Sequence, residues 1–155
     1  MIQHYAGQSN EIAELFYRSI HEIACSAYSE DQLNAWAPYP IDYDRWKYRC
    51  ELKRPFLYVI EEQIAGFIEL DPDGHIDCHY VHPNFTRRGV ATALLNHVME
   101  IALQLEFDRL FVEASHVIRP LYEKQGFTVV KANQVERHGI VLENWIMELP
   151  RNPKS

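Results

Sequence analysis

One segment near the middle of the chain reads Val81-His82-Pro83-Asn84-Phe85-Thr86-Arg87-Arg88-Gly89-Val90-Ala91-Thr92. A strand-like run ends here, a loop with two arginines and a glycine follows, and a long apolar helical stripe begins. Free backbone N–H groups at a helix start bind anions, and a glycine lets that backbone approach a phosphate closely. The pattern therefore predicts a pyrophosphate site. The alternative is an ordinary helix start with solvated arginines.

On both sides of this loop, the apolar periodicity alternates between helical and extended types. We expect helices at Glu11 to about Ala27, Ser29 to Trp36, Asp44 to about Lys53, Val90 to about Leu105 and Ile118 to Gln125. We expect strands at Phe56–Ile60, Ile64–Leu70, His75–Val81, Arg109–Glu113, Phe127 to about Lys131 and Ile140–Leu149. This order predicts a mixed α/β or α+β layer structure.

Length and composition indicate one globular domain covering residues 1–155. Hydrophobic residues make up 47% and charged residues 24% of the chain, which are ordinary globular values. The net charge of −7 argues against broad binding to nucleic acid. We expect no membrane partner, because neither a signal-peptide pattern nor a long apolar span is visible. Three scattered cysteines, Cys25, Cys50 and Cys78, indicate reduced thiols and a cytoplasmic location.

A second informative segment, Ile118-Arg119-Pro120-Leu121-Tyr122-Glu123-Lys124-Gln125-Gly126-Phe127, follows a strand that ends at Glu113-Ala114-Ser115. With both segments in this order, the chain resembles the GNAT superfamily of acyl-CoA-dependent N-acyltransferases. Its members have a strand ending near Val-His-Pro, a Q/R-x-x-G-x-G/A loop that opens a helix, and a later Tyr-Glu-Lys and Gly-Phe segment. Here Gly89 and Tyr122 are 122 − 89 = 33 residues apart. The sequence is most similar to a bacterial subgroup of small acetyltransferases.

The resemblance implies a single-domain GNAT-like fold, with a central, mostly antiparallel sheet flanked by helices. One parallel strand pair, His75–Val81 and Arg109–Glu113, would be splayed in a V that holds the pantetheine arm of acetyl-CoA, the cosubstrate. Thr86 stands where the family usually has Gln or Arg, but the backbone amides that hold the pyrophosphate are unaffected. The cofactor-binding residues implied are Tyr80, Val81, Thr86, Arg87, Arg88, Gly89, Val90, Ala91, Thr92 and Ser115.

Tyr122 matches the family's tyrosine that points at the CoA sulfur, so it would protonate or hydrogen-bond the leaving thiolate. The alternative is a tyrosine that fills space under the sheet. Strand alternation predicts that His75, Asp77 and His79 share one face, with Ile76, Cys78 and Tyr80 on the other. Asp77, directly or through water, or His75 would accept the amine proton, unless this face is only solvated. A metal site is not expected, since the family uses no metal.

The acceptor site would lie between the first helices and the last hairpin. Tyr28, Trp36, His79 and Asn144 are the expected acceptor-binding residues, and aromatics near acids would suit a cationic amine. Core packing is the alternative for Trp36. The function implied is direct acetyl transfer from acetyl-CoA to a primary amine of a small molecule or protein, in a ternary complex. The alternative is a non-catalytic acyl-CoA sensor or interaction module. An exposed last strand would offer an edge for a homodimer.

Overall fold

The structure, a computed structural model, describes residues 1–151. Its helices are α1 (Ser9–Glu22), α2 (Glu30–Trp36), α3 (Tyr43–Lys53), α4 (Val90–Gln104) and α5 (Arg119–Lys124). Its strands are β1 (Ile2–His4), β2 (Phe56–Ile60), β3 (Gln63–Leu70), β4 (His75–Val81), β5 (Arg109–Ala114), β6 (Thr128–Arg137) and β7 (Ile140–Pro150). Within the described chain, no helix is both long and apolar enough to cross a bilayer.

A seven-stranded sheet in the order β1-β2-β3-β4-β5-β7-β6 forms the centre of the fold. Every neighbouring pair is antiparallel except β4 and β5. This parallel pair is held at only two positions, His75 with Phe111 and Ile76 with Val112, so the strands separate beyond Ile76. The predicted fold class, a mostly antiparallel sheet with one splayed parallel pair and flanking helices, is confirmed.

Helices cover both faces of the sheet and bury two apolar layers. On one face, α4 packs through Val90, Leu94, Leu95 and Val98 against a core that includes Tyr122. On the other face, α1 and α3 bury a second cluster around Ile12 and Phe67. The two faces therefore have separate cores, and the gap between β4 and β5 lies between them.

Two of the helices begin at a side-chain cap. The capping box of Ser29 with Gln32 starts α2, and the Asp42 side chain caps α3.

Several boundaries differ from the sequence-based expectation. The first helix ends at Glu22, because a 3-10 turn at Ala24–Ser26 follows it. The three-residue β1 is too short to show a periodic pattern. β6 extends to Arg137 instead of ending near Lys131. The last strand, β7, lies between β5 and β6, so the expectation that it forms an exposed edge is wrong; β6 is the edge at that end of the sheet.

An irregularity in β4 changes which face each of its side chains occupies. Ile68 pairs with His79 and Leu70 with Ile76, so Glu69 alone lies opposite both Asp77 and Cys78, which is the pattern of a β-bulge. Beyond the bulge the alternation is reversed. His79 therefore faces α4, as Ile76 does. His75 and Asp77 face α3, so the expectation that all three polar side chains share one face is wrong.

The turn before β4 requires glycine at Gly74. Its φ is +94°, its carbonyl accepts a hydrogen bond from Phe111 N at 3.1 Å, and an added Cβ would collide with the carbonyl oxygen of Arg109. This close approach joins the turn directly to the start of β5. The Asp-Pro-Asp-Gly turn thus helps to set the register of the parallel pair.

We expect Gly74→Ala to destabilise the fold much more than Gly7→Ala. Both glycines have positive φ, so an alanine is strained by ~1–3 kcal/mol at either position. Only at Gly74 does the methyl group meet packed backbone, which adds about 1–3 kcal/mol, because no atom lies within 4 Å of that position at Gly7. Urea unfolding of the two variants measures the difference, and equal losses would contradict this account.

Candidate active site

The first cavity, which we call the α4 cavity, has a volume of about 310 Å³ and lies where β4 and β5 separate. It runs between α1, the end of β4 and the first turn of α4, and Val117, Ile118 and Leu121 close its far side. Nine of the ten predicted cofactor-binding residues line it: Tyr80, Val81, Thr86, Arg87, Gly89, Val90, Ala91, Thr92 and Ser115. Arg88 does not line it; its guanidinium lies over the Phe85 ring, 5.6 Å from the centroid.

The start of α4 has the geometry of an anion site. Gly89 is the N-cap residue with φ +76°, and no side chain caps the first turn. Arg87 also has positive φ, at +62°, and left-handed residues before a helix start are typical of backbone nests that bind anions. No atom lies within 4 Å of where a Cβ would stand on Gly89, which leaves room for a phosphate. These residues therefore fit a pyrophosphate. The Thr86 hydroxyl donates a hydrogen bond to Pro83 O at 3.4 Å within the same loop.

A second cavity, the β4–β5 cavity, has a volume of about 230 Å³ and brings the other predictions together. All predicted catalytic and acceptor-binding residues line it: Tyr28, Trp36, His75, Asp77, His79, Tyr122 and Asn144. It shares Trp36, His79, Tyr80, Ser115 and Ile118 with the α4 cavity, so the two cavities adjoin. The gap in the sheet thus links the anion site to the candidate catalytic residues.

Tyr122 and His79 form a buried pair behind this gap. The Tyr122 side chain is fully buried, and its Oη lies 2.8 Å from Nδ1 of His79. Nε2 of His79 lies 3.0 Å from the carbonyl oxygen of Ala91 in the first turn of α4. Burial lowers the pKa of His79 to about 4 and raises the pKa of Tyr122. Both groups are therefore neutral near neutral pH.

His75 and Asp77 belong to a charged network on the α3 face. Arg49 contacts Asp77 at 2.9 Å and Lys53 contacts it at the same distance, while Lys53 also contacts Asp71 at 2.9 Å. Burial alone would raise the pKa of Asp77, but the hydrogen bond from Lys53 and the two positive charges lower it. An ionised carboxylate held by two cations is a weak base.

Both ring nitrogens of His75 face carboxylates. Nε2 lies 2.6 Å from Glu113 and Nδ1 lies 3.3 Å from Asp71, and the ring stacks on Phe111. The hydrogen bond to Glu113 raises the pKa of His75, although burial opposes the shift. The atoms of Asp71, His75 and Asp77 that could bind a metal ion lie within 4.8 Å of one another. Lys53 contacts both aspartates, however, and already supplies the positive charge at this position.

Four residues of this charged network have no role in the prediction from sequence: Arg49, Lys53, Glu69 and Glu113. The fully buried Glu69 receives two hydrogen bonds from the Arg49 guanidinium, at 2.7 and 3.1 Å. Glu69 was the one detectable signal, because it is a charged residue inside the apolar run Ile64–Leu70. Arg49 and Lys53 lie on a mostly exposed helix, where charged residues are ordinary and carry no signal.

The residues predicted to bind the amine make hydrogen bonds and aromatic contacts with their neighbours. Tyr28 Oη donates to Glu143 O at 2.9 Å and accepts from His116 N at 3.0 Å. Asn144 Oδ1 accepts from Asn133 Nδ2 at 2.9 Å. Trp36 packs edge-on against Tyr28 and Tyr80. A third cavity of about 240 Å³ continues from Trp36 and Asp77 and is walled by Phe16, Tyr17, Trp46, Arg45 and Arg137.

The sheet has one splayed parallel pair, and a helix start without a side-chain cap lies at the gap. This arrangement is typical of acyl-CoA-dependent acyltransferases. The family described as acetyltransferase (GNAT) domain matches residues 24–149. The chain belongs to the GNAT family of acetyltransferases, which makes it an acetyl-CoA-dependent acyltransferase, and the family prediction is confirmed.

Several known proteins are similar to this chain over nearly their whole length. The uncharacterized N-acetyltransferase YafP of Escherichia coli (strain K12) is 34% identical over 141 residues, which cover 91% of this chain and 89% of YafP. The crystal structure of a GCN5-related N-acetyltransferase from Rhodopseudomonas palustris is 27% identical, with a TM-score of 0.91 over 97% of this chain and 95% of that one. The structure of yncA, a putative acetyltransferase from Salmonella typhimurium with its cofactor acetyl-CoA, is 16% identical, with a TM-score of 0.75 over 99% and 94% of the two chains. At that identity the likeness concerns the fold.

We expect Glu113→Gln to lower the pKa of His75. The folded-state pKa of His75 is raised, so the pair stabilises the fold fully below the unfolded pKa of about 6.5, and this contribution is lost as pH rises through the folded-state pKa. The stability difference from wild type should therefore be largest between about pH 5 and 6.5 and shrink above that range. NMR titration of His75 and urea unfolding across pH measure both effects.

The matched control for this prediction is Glu136→Gln. Glu136 is exposed on the edge strand β6 and has no ion-pair partner among residues 1–151. Its stability difference from wild type should not follow the titration of His75. An unchanged pKa of His75 in Glu113→Gln would contradict the assignment of the shift to Glu113.

Proposed function

We propose that the protein transfers an acetyl group from acetyl-CoA to a primary amine of a small molecule or protein, directly, in a ternary complex. The observation that carries this proposal is the adjacency of the two cavities. The α4 cavity ends at an anion site, and the β4–β5 cavity contains Tyr122, His75 and Asp77. We treat residues 1–155 as one acetyltransferase domain. Three free cysteines support a cytoplasmic location.

Acetyl-CoA would supply an activated acyl group as a thioester, and the chain would supply its binding groups. Beyond Ile76, no strand among residues 1–151 pairs with the edge of β4 that faces β5, so main-chain groups of Tyr80 and Val81 are available to pair with an extended pantetheine arm. The backbone amides from Gly89 to Thr92 would bind the pyrophosphate, and Arg87 would add a positive charge. Ser115 lines both cavities and would lie beside the arm.

In the transfer step, the amine nitrogen forms a bond to the acyl carbon, and the bond from that carbon to sulfur breaks. Tyr122 would donate a hydrogen bond to the leaving thiolate and pass its phenolic proton to the sulfur as the carbon–sulfur bond breaks, and solvent would then return a proton to the phenolate, so that CoA leaves as the thiol. The amine must lose a proton. Since His75 and Asp77 are both engaged in ion pairs, we propose that this proton leaves through water bound beside them.

The cavity walls support an amine acceptor that carries apolar surface. Trp36, Tyr28 and Tyr80 provide aromatic contacts, and Asp77, Glu113 and Glu143 add carboxylates to the same cavity. The alternative, a non-catalytic sensor, would also use the anion site but would not depend on Tyr122. The dependence of thiol release on Tyr122 therefore separates the two functions.

We expect Gly89→Glu to abolish binding of acetyl-CoA, because a carboxylate would enter the anion site. Gly139→Glu in the β6–β7 turn is the matched control. Its φ is +78° against +76° for Gly89, and no atom lies within 4 Å of either added Cβ, so the backbone strain is equal. Titration calorimetry with acetyl-CoA, CoA and pyrophosphate measures binding. Equal binding by both variants would move the anion site elsewhere.

We expect Tyr122→Phe to lower kcat for CoA release by about 10²- to 10⁴-fold, the usual contribution of a general acid. Tyr58→Phe is the control, because Tyr58 packs on the same core from β2, away from both cavities. Thiol release from acetyl-CoA with a panel of amines measures the rate. Equal rates in Tyr122→Phe and wild type would remove Tyr122 from the mechanism. Tight cofactor binding by the wild type without release on any amine would favour the sensor.

A further inference from the structure

We propose that His79 is a positioning residue for Tyr122. It holds the phenol near the first turn of α4 and accepts a hydrogen bond from its hydroxyl until the thioester is bound. This role depends on the proposed acetyl transfer. It differs from the role in acceptor binding that the sequence predicts for His79. His79 is only 7% exposed, and both its ring nitrogens are engaged by protein atoms. It is therefore not available to bind an acceptor amine.

The carbonyl of Ala91 determines which nitrogen of His79 carries the hydrogen. A carbonyl oxygen can only accept, so Nε2 must be the donor at 3.0 Å. The neutral ring then has a lone pair on Nδ1, and the hydrogen bond at 2.8 Å must be donated by the Tyr122 hydroxyl. The depressed pKa of His79, about 4, keeps the ring in this neutral form. In the absence of cofactor, the phenolic hydrogen is directed at His79.

This pair connects the cofactor-binding turn to the candidate acid. Ala91 belongs to the same helical turn as the amides proposed for the pyrophosphate, and Tyr122 lies on α5. Among residues 1–151, His79 provides the one hydrogen bond to Tyr122 Oη, while Phe127 packs edge-on against its ring. Losing His79 would leave the phenol without a polar partner, so its position would rest on apolar packing alone. When sulfur arrives, the O–H needs only to rotate from Nδ1 to reach it, and no bond to protein has to form.

Kinetics of a double-mutant cycle tests whether His79 acts through Tyr122. His79→Leu should lower kcat on the order of 10²-fold, the usual cost of misplacing a reacting group by about 1 Å. KM for acetyl-CoA should stay near its wild-type value, since the anion site is intact. His79→Asn, which keeps an acceptor near the position of Nδ1, should restore part of the loss. In a Tyr122→Phe background, His79→Leu should add no further loss.

His97→Leu is the control, because His97 lies on α4 against Phe56 and outside the cavities. Thermal unfolding of each variant establishes that it is folded. An unchanged kcat in His79→Leu, or a full additional loss in the Tyr122→Phe background, would overturn the proposal.

A second measurement needs neither activity nor a variant. NMR of ¹⁵N-histidine-labelled protein should show His79 as the neutral Nε2–H tautomer, without titration through the range in which an ordinary histidine titrates. Its Nδ1 signal should shift with acetyl-CoA and remain in place with inorganic pyrophosphate. The Nδ1–H tautomer, or an Nδ1 signal unmoved by acetyl-CoA, would overturn the inference. If no amine is acetylated, the proposed function fails, while this spectrum still decides the role of His79.

Discussion

The splay between β4 and β5 is the constraint on which the rest of the site depends. Two paired positions at the start of β4 hold the strands together, and the turn at Gly74 brings the start of β4 against β5. Beyond them, the backbone of β4 has no strand partner on that side within the described part of the chain. An unpaired strand edge inside a protein is costly unless a ligand or water satisfies it. In the proposed complex, an extended pantetheine arm would satisfy the same groups, so the gap in the sheet would itself be the binding site.

The bulge opposite Glu69 gives this gap two chemically different sides. On the α3 face, Asp77 joins a network of carboxylates and cations that continues through Lys53 and Asp71 to His75 and Glu113. On the α4 face, His79 and Tyr122 are neutral and dry. The Glu69 carboxylate is fully buried, and two hydrogen bonds from Arg49 offset the cost of its burial. Removing one partner of such a buried pair typically lowers the free energy of unfolding by about 3–5 kcal/mol. Without the bulge, Asp77 and His79 would lie on the same face of the sheet.

Much of this organisation could be predicted from the sequence, and the failures have physical causes. The helix that starts at Val90, the anion loop before it and the strand pair around it produce strong local patterns, which tertiary packing did not override. The bulge could not be predicted from strand periodicity, because one extra residue leaves the composition of β4 unchanged while it reverses every later side chain. For the same reason, His79 was expected on the face of His75 and Asp77, whereas its Nε2 lies against the carbonyl of Ala91 on the α4 side. The edge position of β6 is a matter of strand order, on which local sequence carries no information.

The protons that move in the proposed acetyl transfer would give each side of the gap a different task. The amine loses a proton during transfer and the sulfur gains one, so the reaction needs a polar environment at one end and a neutral donor at the other. In the proposed reaction, carboxylates on the α3 face would attract the protonated acceptor amine before water removes its proton. In the same proposal, a carboxylate next to the sulfur would repel the developing thiolate, whereas the α4 face presents the neutral pair of Tyr122 and His79. The bulge separates these environments within three residues of one strand, Asp77 to His79.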